Sequence, residues 1–472
     1  EGKYADKLIV EAPSIKHWVP EIIESEGEDI SYFPHMNGTF VFKNAVVGVD
    51  EYFNGEASEI SGIKIKGNEV SIQLIHSDVN FINKLCMASA YIVPTEAIEQ
   101  GRVNDGVGSG PFILRKMNNE KVVFIRNDQY YGKNDQGVQL PILDSLIFVM
   151  DDDKENQLTN FRAKKLNVLV GLPPNKIVEV LQQNIGDFNN DPPKYELIGI
   201  PELSTSYLTV NMSKPYLQNE KLRKAISMAI NREVIMRDDL KSQAYSSDGL
   251  YGITPPLPII KDYDFKGIKE KAAGFNPELA KKMLAEAGYP DGKGFPSLRL
   301  EFVESTVNSK VANSILKQLK KNLNVNIQIE SVSFAQKMKD ANEGKGDLYL
   351  DAWIADYASP QTFLSNYYGK TIPTDPTAPS PINVSRFNNK EFDAHYAKAC
   401  ATLDEKERLA YFGEAEKILT EKAGVIVLWY AEEHKIAHSD VREFKSNALK
   451  IMNFTNVYFK ERVKGEKKKR KK

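Results

Sequence analysis

Between residues 59 and 126 apolar and polar positions alternate with a period of two, in Ile60-Ser-Gly-Ile-Lys-Ile-Lys, in Val70-Ser-Ile-Gln-Leu-Ile, over 112–116 and over 122–126. That period sends successive side chains to opposite faces of a strand, so the stretch predicts strands, the last two joined as a hairpin at Asn118-Asn119. The apolar run 143–150, a helical pattern over 155–165 and the run Asn167-Val-Leu-Val170 predict a β-α-β passage. Beyond Leu208-Thr-Val-Asn211 the period lengthens. Leu222, Ile226, Ala229, Ile230 and Ile235 recur at helical spacing and predict one long amphipathic helix over 217–240. Asn276-Pro277 opens another helix, with Ala280, Met283 and Leu284 inward and Gly288 at its exit. Helix over 309–323, strand over 325–329, helix over 334–342, strand over 348–353, two helices within 391–420 and a strand over 425–430 complete the pattern. Helices interleaved with strands in this way predict an α/β fold.

A length of 472 residues predicts two or more lobes, and 42% hydrophobic with 27% charged residues is a composition that builds folded cores. No run of 18 apolar residues occurs; Val425-Ile-Val-Leu-Trp-Tyr430 is strand-sized, so no membrane span is expected. The formal net charge of −2 conceals an asymmetry, because residues 460–472 hold nine basic and two acidic residues and leave −9 on the rest. An acidic body repels phosphate backbones, so no nucleic-acid partner is expected, and the basic tail over 461–472 is expected to be solvated and disordered. Cys86 and Cys400 are too few for a disulfide framework or a thiolate metal site. The chain opens Glu1-Gly-Lys-Tyr with neither an initiator Met nor an apolar leader, which is expected of a mature or trimmed product without an export signal of its own.

The stretch Asp351-Ala-Trp-Ile-Ala-Asp-Tyr-Ala-Ser-Pro-Gln-Thr-Phe363 carries the most chemistry. It ends a predicted strand and opens a loop, and ligands of open α/β sheets gather beyond the carboxyl ends of strands. Period two places Tyr349, Asp351 and Trp353 on one face. An acid beside an aromatic at such a crevice can pair with an ammonium while the ring covers the ligand's carbon skeleton. The alternative, that Asp356 caps the next helix and Trp353 is core, stays open at this point. Elsewhere the residues favour bland readings. Gly106-Val-Gly-Ser-Gly110 leads into a strand, not a helix, and is read as a turn; His434 and His438 have Lys435 where a metalloprotease needs Glu. No Gly-x-Ser-x-Gly elbow is present, so no catalytic residue, metal or cofactor is expected.

Asp351-Ala-Trp-Ile-Ala-Asp-Tyr-Ala-Ser-Pro360 resembles the Gly-Trp-x-x-Asp-Tyr-x-x-Pro segment of family 5 extracellular solute-binding proteins, the peptide- and nickel-type receptors of ABC importers. Gly108-Ser-Gly-Pro-Phe112 with Arg126-Asn-Asp-Gln-Tyr-Tyr-Gly132, and Leu208-Thr-Val-Asn211 with Leu222-Arg-Lys-Ala-Ile-Ser-Met-Ala-Ile-Asn-Arg232, are similar to further segments of that family in the same order. The resemblance implies a two-lobed, type II periplasmic-binding-protein fold. Lobe I would take residues 1–210, its opening atypical or missing because 1–44 do not resemble the family's first strands. Lobe II would take 211–440, and 441–460 would return to lobe I. The hinge would lie at Val210, Asn211, Asp440 and Val441. The implied ligand is a peptide or similar amine-bearing solute, with Asp356 the ammonium anchor, Trp353 and Tyr357 apolar walls and Asp351 a second acceptor. The implied partner is a membrane permease, and the implied place is the periplasm or cell envelope, peripheral to the membrane and compatible with a lipid anchor. Asp347, Leu348, Tyr349, Leu350 and Asp351 stand where oligopeptide receptors carry basic residues before the Trp. An interaction subunit that has lost transport, or a hydrolase on the same fold, are the other classes the residues leave open.

Overall fold

The computed structural model describes residues 7–12, 42–43, 45–87, 90, 94–100, 107–171, 186, 189, 193–240, 244–245 and 252–460. The chain begins with strand β1 (Lys7–Ala12). A small unit over 45–87 follows, in which helix α1 (Val49–Phe53), strands β2 (Ile63–Lys66) and β3 (Glu69–Ile72) and helix α2 (Phe81–Lys84) close on a core of Val46, Val49 and Phe81. Then come the hairpin β4 (Phe112–Met117) and β5 (Lys121–Arg126), β6 (Ser145–Met150), α3 (Lys154–Arg162) and β7 (Val168–Val170). Asp153 starts α3 by accepting hydrogen bonds from the N–H groups of Glu155 and Asn156, two donors that the first helical turn leaves unpartnered. β1 lies between β6 and β7 and is parallel to both, so β6-α3-β7 is a crossover unit spanning it. Of the opening segment, expected to be atypical or missing, Lys7–Ala12 forms this strand between β6 and β7.

The 16-residue strand β8 (Tyr195–Val210) leads into the second half. There, helices α4 (Glu220–Ala229), α5 (Pro277–Glu286), α6 (Thr306–Leu323), α7 (Phe334–Asn342), α8 (Gln361–Leu364), α9 (Lys390–Ala401) and α10 (Glu405–Glu421) surround β10 (Leu298–Val303), β11 (Ile327–Val332), β12 (Leu348–Ile354) and β13 (Val425–His438), with the short β9 (Ala244–Tyr245) on β13. The long helix expected over 217–240 is broken. Ile230 takes an extended conformation and Asn231 caps a new turn by accepting from the Val234 N–H, after which residues 235–240 form a wider π turn. A capping residue inside an apolar period ends one helix and starts another.

One eleven-stranded sheet, in the order β11-β10-β12-β8-β13-β7-β1-β6-β5-β4 with β9 on β13, serves both halves. In lobe II it is covered on both faces. α4, α5 and α6 pack on Leu208, Val210, Leu348 and Leu350, while α9, α10 and the loop at 253–268 pack on Leu203, Tyr207, Val425 and Val427. In lobe I, Leu158 and Phe161 of α3 cover Leu169, Tyr195 and Ile436, and Phe444, Phe454 and Val457 of the return segment cover Phe148, Val168 and Ala437.

β8 and β13 run unbroken from one lobe to the other. At about 3.3 Å per residue β8 is about 50 Å long, enough to place Tyr195 in the lobe I core and Val210 in that of lobe II. The residues expected to form the hinge occupy the far ends of these strands. Val210 is wholly buried in lobe II; Asn211 is buried beside it, with its amide donating to the carbonyls of Gly344 (2.9 Å) and Gly346 (2.7 Å). Val441 packs in lobe I and pairs with Phe459, and the carbonyl of Asp440 accepts from the Lys460 N–H. The two strands continue without a break between these ends. Along this pair β13 carries irregularities between Val427 and Trp429 and between Tyr430 and Glu432, opposite residues 201–207 of β8, which begin with the donorless Pro201. The return segment also reaches further than expected, for Ala448 and Leu449 pack against the lobe II core. The Leu203 N–H donates to the Ala448 carbonyl at 2.7 Å, and Lys450 pairs with the buried Glu202 at 3.2 Å. Wholly buried Lys435 meets Glu433 at 2.8 Å and Ser446 Oγ at 2.7 Å.

Candidate functional site

β12 presents alternate residues to its two sides. Leu348 and Leu350 enter the core beneath α4 and α6, leaving Tyr349, Asp351 and Trp353 on the opposite face. Asp351, expected as a second acceptor, already has partners within the chain. Its carboxylate pairs with the buried Lys337 of α7 and accepts from Thr209 Oγ1 at 2.5 Å, and the same ammonium also donates to the Leu350 carbonyl at 3.1 Å. Lys337 is buried and Asp351 partly so, and each meets part of the other's need for a partner. The resemblance supplied the motif; the lysine lies 14 residues upstream and reaches the acid only through the fold.

Trp353 and Asp356 are tied together by the hydroxyl of Thr362 on α8. Thr362 Oγ1 accepts from Trp353 Nε1 (3.2 Å) and from the Asp356 N–H (3.2 Å), and donates to Asp356 Oδ2 (3.0 Å). One proton and two lone pairs are a hydroxyl's full capacity, so this single group sets the strand-end tryptophan and the loop acid in a fixed relation. α8 itself begins at Pro360 with no side-chain cap, so Asp356 is not its capping residue. Trp353 is half-buried at the edge of the lobe II core, with Ile354 beside it 45% exposed. Burial pushes the Asp356 carboxyl up to about 6, against the opposing hydrogen bond from Thr362, because desolvation penalises the charged form. Tyr357, expected as a wall, is buried behind the acid, and its hydroxyl donates to Gln361 Oε1 at 3.1 Å.

The four expected site residues thus separate. Asp356 and Trp353 meet at Thr362, Tyr357 is buried and bonded to Gln361, and Asp351 pairs with Lys337. His434 and His438 are likewise apart in function. His438 is buried, stacked on Phe161 at 4.4 Å with Nε2 3.0 Å from the Phe161 carbonyl oxygen, and among the described residues no group of three or more His, Cys, Asp or Glu side chains could hold a metal ion.

Comparison with known proteins agrees with the two-lobed fold. Residues 29–375 match the family model described as bacterial extracellular solute-binding proteins, family 5 Middle. The chain belongs to that family. Among family 5 relatives, the chain is 23% identical over 397 residues to the periplasmic oligopeptide-binding protein OppA of Escherichia coli (strain K12), covering 82% of this chain and 68% of that protein. It is 24% identical over 412 residues to the periplasmic murein peptide-binding protein MppA of the same organism, covering 84% and 71%. The crystal structure of an oligopeptide-binding protein, OppAIV, from Borrelia burgdorferi superposes with a TM-score of 0.70 at 28% identity, covering 91% of this chain and 80% of that one. The type II two-lobed fold of this family 5 chain is that of these receptors. Among its described residues no helix is long and apolar enough to cross a membrane.

Sequence reading misses Thr362 and Gln361, although both lie within the stretch it singles out. A hydroxyl six residues past the acid carries no pattern of its own. Asn80, nearly 280 residues upstream, also touches this loop, and nothing in its neighbourhood signals that.

Proposed function

We propose that this chain is the extracytoplasmic receptor of an ABC importer, taking a peptide or similar amine-bearing solute between its lobes and presenting the closed form to a membrane permease at the periplasmic face of the cell envelope. Asp356 carries the reading. A carboxyl pushed up by burial at the lip of a strand-end loop recovers its charge when an ammonium replaces the lost water, and Thr362 already holds it beside the indole that would cover the ligand's first carbons. The names of the relatives, an oligopeptide binder and a murein peptide binder, agree with that chemistry. No bond is made or broken in this scheme. Interactions that form only on closure shift the balance between open and closed forms, and the shift is limited by the ligand's preference for the closed one. We assign the bend to mid-strand, at 201–205 and 430–432, where the ladder is least regular.

Calorimetric titration with unblocked tri-alanine and a pool of short peptides tests the reading. Wild-type protein is expected to bind with heat and a thermal shift, and Asp356→Asn to weaken that binding by about tenfold or more, as loss of a buried charge-assisted bond requires. Equal binding by the variant removes Asp356 from the site. A folded wild-type protein that binds none of these ligands removes the receptor reading.

A further inference from the structure

The small unit over 45–87 sits in the chain between β1 and β4, two strands of lobe I, and so is tethered at both ends to that lobe. Its Asn80 nonetheless reaches lobe II. The Asn80 amide nitrogen donates to Gln361 Oε1 at 2.6 Å and to Ser359 Oγ at 3.4 Å, and Asn80, Gln361 and Ser359 are 6%, 7% and 6% exposed. The amide is set for this contact from its own side. Asn80 stands at the N-cap of α2, where asparagine ordinarily bonds to its own helix, yet its side chain makes no capping bond. Asn83 Nδ2 donates to Asn80 Oδ1 at 3.1 Å, which fixes the orientation of the amide and leaves its nitrogen facing outward. One carboxylate, that of Asp78, accepts the Asn80 N–H at 2.9 Å and pairs with Lys84 at 2.8 Å, so the backbone is anchored too. Across the gap, Gln361 Oε1 takes a second donor from Tyr357, the residue next to Asp356, and Gln361 Nε2 lies 3.4 Å from Cys400 Sγ on α9.

We propose that Asn80 and Gln361 form a clasp between the lobes that holds the Asp356 loop in its binding position and stabilises the closed form without touching the ligand. The inference rests on the receptor reading above. Every group in the clasp is polar, so each is hydrated when the lobes part, and the net preference for closure is the modest surplus of protein over water hydrogen bonds, ~5-fold. That size suits a reversible device: it raises the closed population before a ligand arrives and does not lock it.

The test reads closure in the absence of ligand. In a Cys86→Ser background, the rate of maleimide reaction at Cys400, half-buried on α9, reports how far this contact opens. Asn80→Ala is expected to raise that rate ~5-fold. Asn80→Asp keeps the acceptor for Asn83 but loses the donor to Gln361, and is expected to do the same, so it decides the matter should the alanine variant misfold. Asn80→Asp combined with Gln361→Ala is expected to react no faster than the faster single variant, since one contact cannot be lost twice. Rates within ~1.5-fold of the parent for Asn80→Asp, or single effects that multiply in the double variant, overturn the clasp. Titration with unblocked tri-alanine separates the two claims. Affinity in Asn80→Asp is expected to fall by up to ~5-fold, whereas a wild-type protein that binds nothing defeats the receptor reading and leaves the labelling result to judge the clasp.

Discussion

Asp356 is the residue whose chemistry is most sharply conditioned by its surroundings. Raised from 3.8 to about 6, its carboxyl holds a proton more tightly in the folded chain than in the unfolded one. Between those values the ligand-free fold therefore loses stability as pH rises. Asp356→Asn removes the titrating group, so the variant's melting temperature relative to wild type is expected to climb from about pH 4 to about pH 7 and level off above. A difference that does not vary with pH contradicts the assignment. Binding runs the other way. An ammonium ligand needs the carboxylate, so affinity for an unblocked peptide is expected to fall about tenfold per unit below pH ~6, with a proton released on binding at about pH 5.5 that calorimetry in two buffers of different ionisation enthalpy detects. Asp356 and Trp353 are legible in the sequence because an acid and an aromatic at a strand end form a local pattern. The partners of Asp351 are not legible for the converse reason: Lys337 and Thr209 lie 14 and 142 residues away, beyond any local spacing.

At the scale of elements, periodicity serves well where an element lies in one environment throughout. The hairpin of β4 and β5 matches expectation because its apolar face meets one core, and the helix over Phe334–Asn342 matches in extent although the residues it buries are Lys337, Asp340, Ala341 and Asn342. β8 and β13 do not lie in one environment. Each passes from a lobe buried on both faces to a half-buried crossing and then into another core, so its pattern changes partway and only the continuous apolar ends, at 208–211 and 425–430, read as strands. The missed middle is where the lobes join. The return segment braces that join, and its charge pair carries a prediction. Lys450→Ala leaves Glu202 buried without its cation; burial already pushes this carboxyl up against the opposing pull of Lys450. The variant is expected to lose about 2 kcal/mol at about pH 8 and less at about pH 5, where Glu202 can take up a proton instead. Equal losses at both pH values would show that Lys450 acts by packing alone.

For the whole molecule, the two-lobed architecture follows from the ordered set of resembling segments. Composition alone reaches only as far as an α/β chain of more than one lobe. Chain order suggests that a lobe stops where its strand stops and so points to a hinge at strand ends, whereas among the described residues one sheet runs through both halves. Among the described residues, β8 and β13 are continuous and the return segment runs alongside them. The account stands or falls on whether those lobes close on a positively charged amine. Titration of the wild-type protein at about pH 7 with tri-alanine and with its N-acetylated form, which keeps the shape and carboxylate but lacks the ammonium, measures this directly. The free peptide is expected to bind at least about tenfold more tightly than the acetylated one; equal affinities would contradict the account.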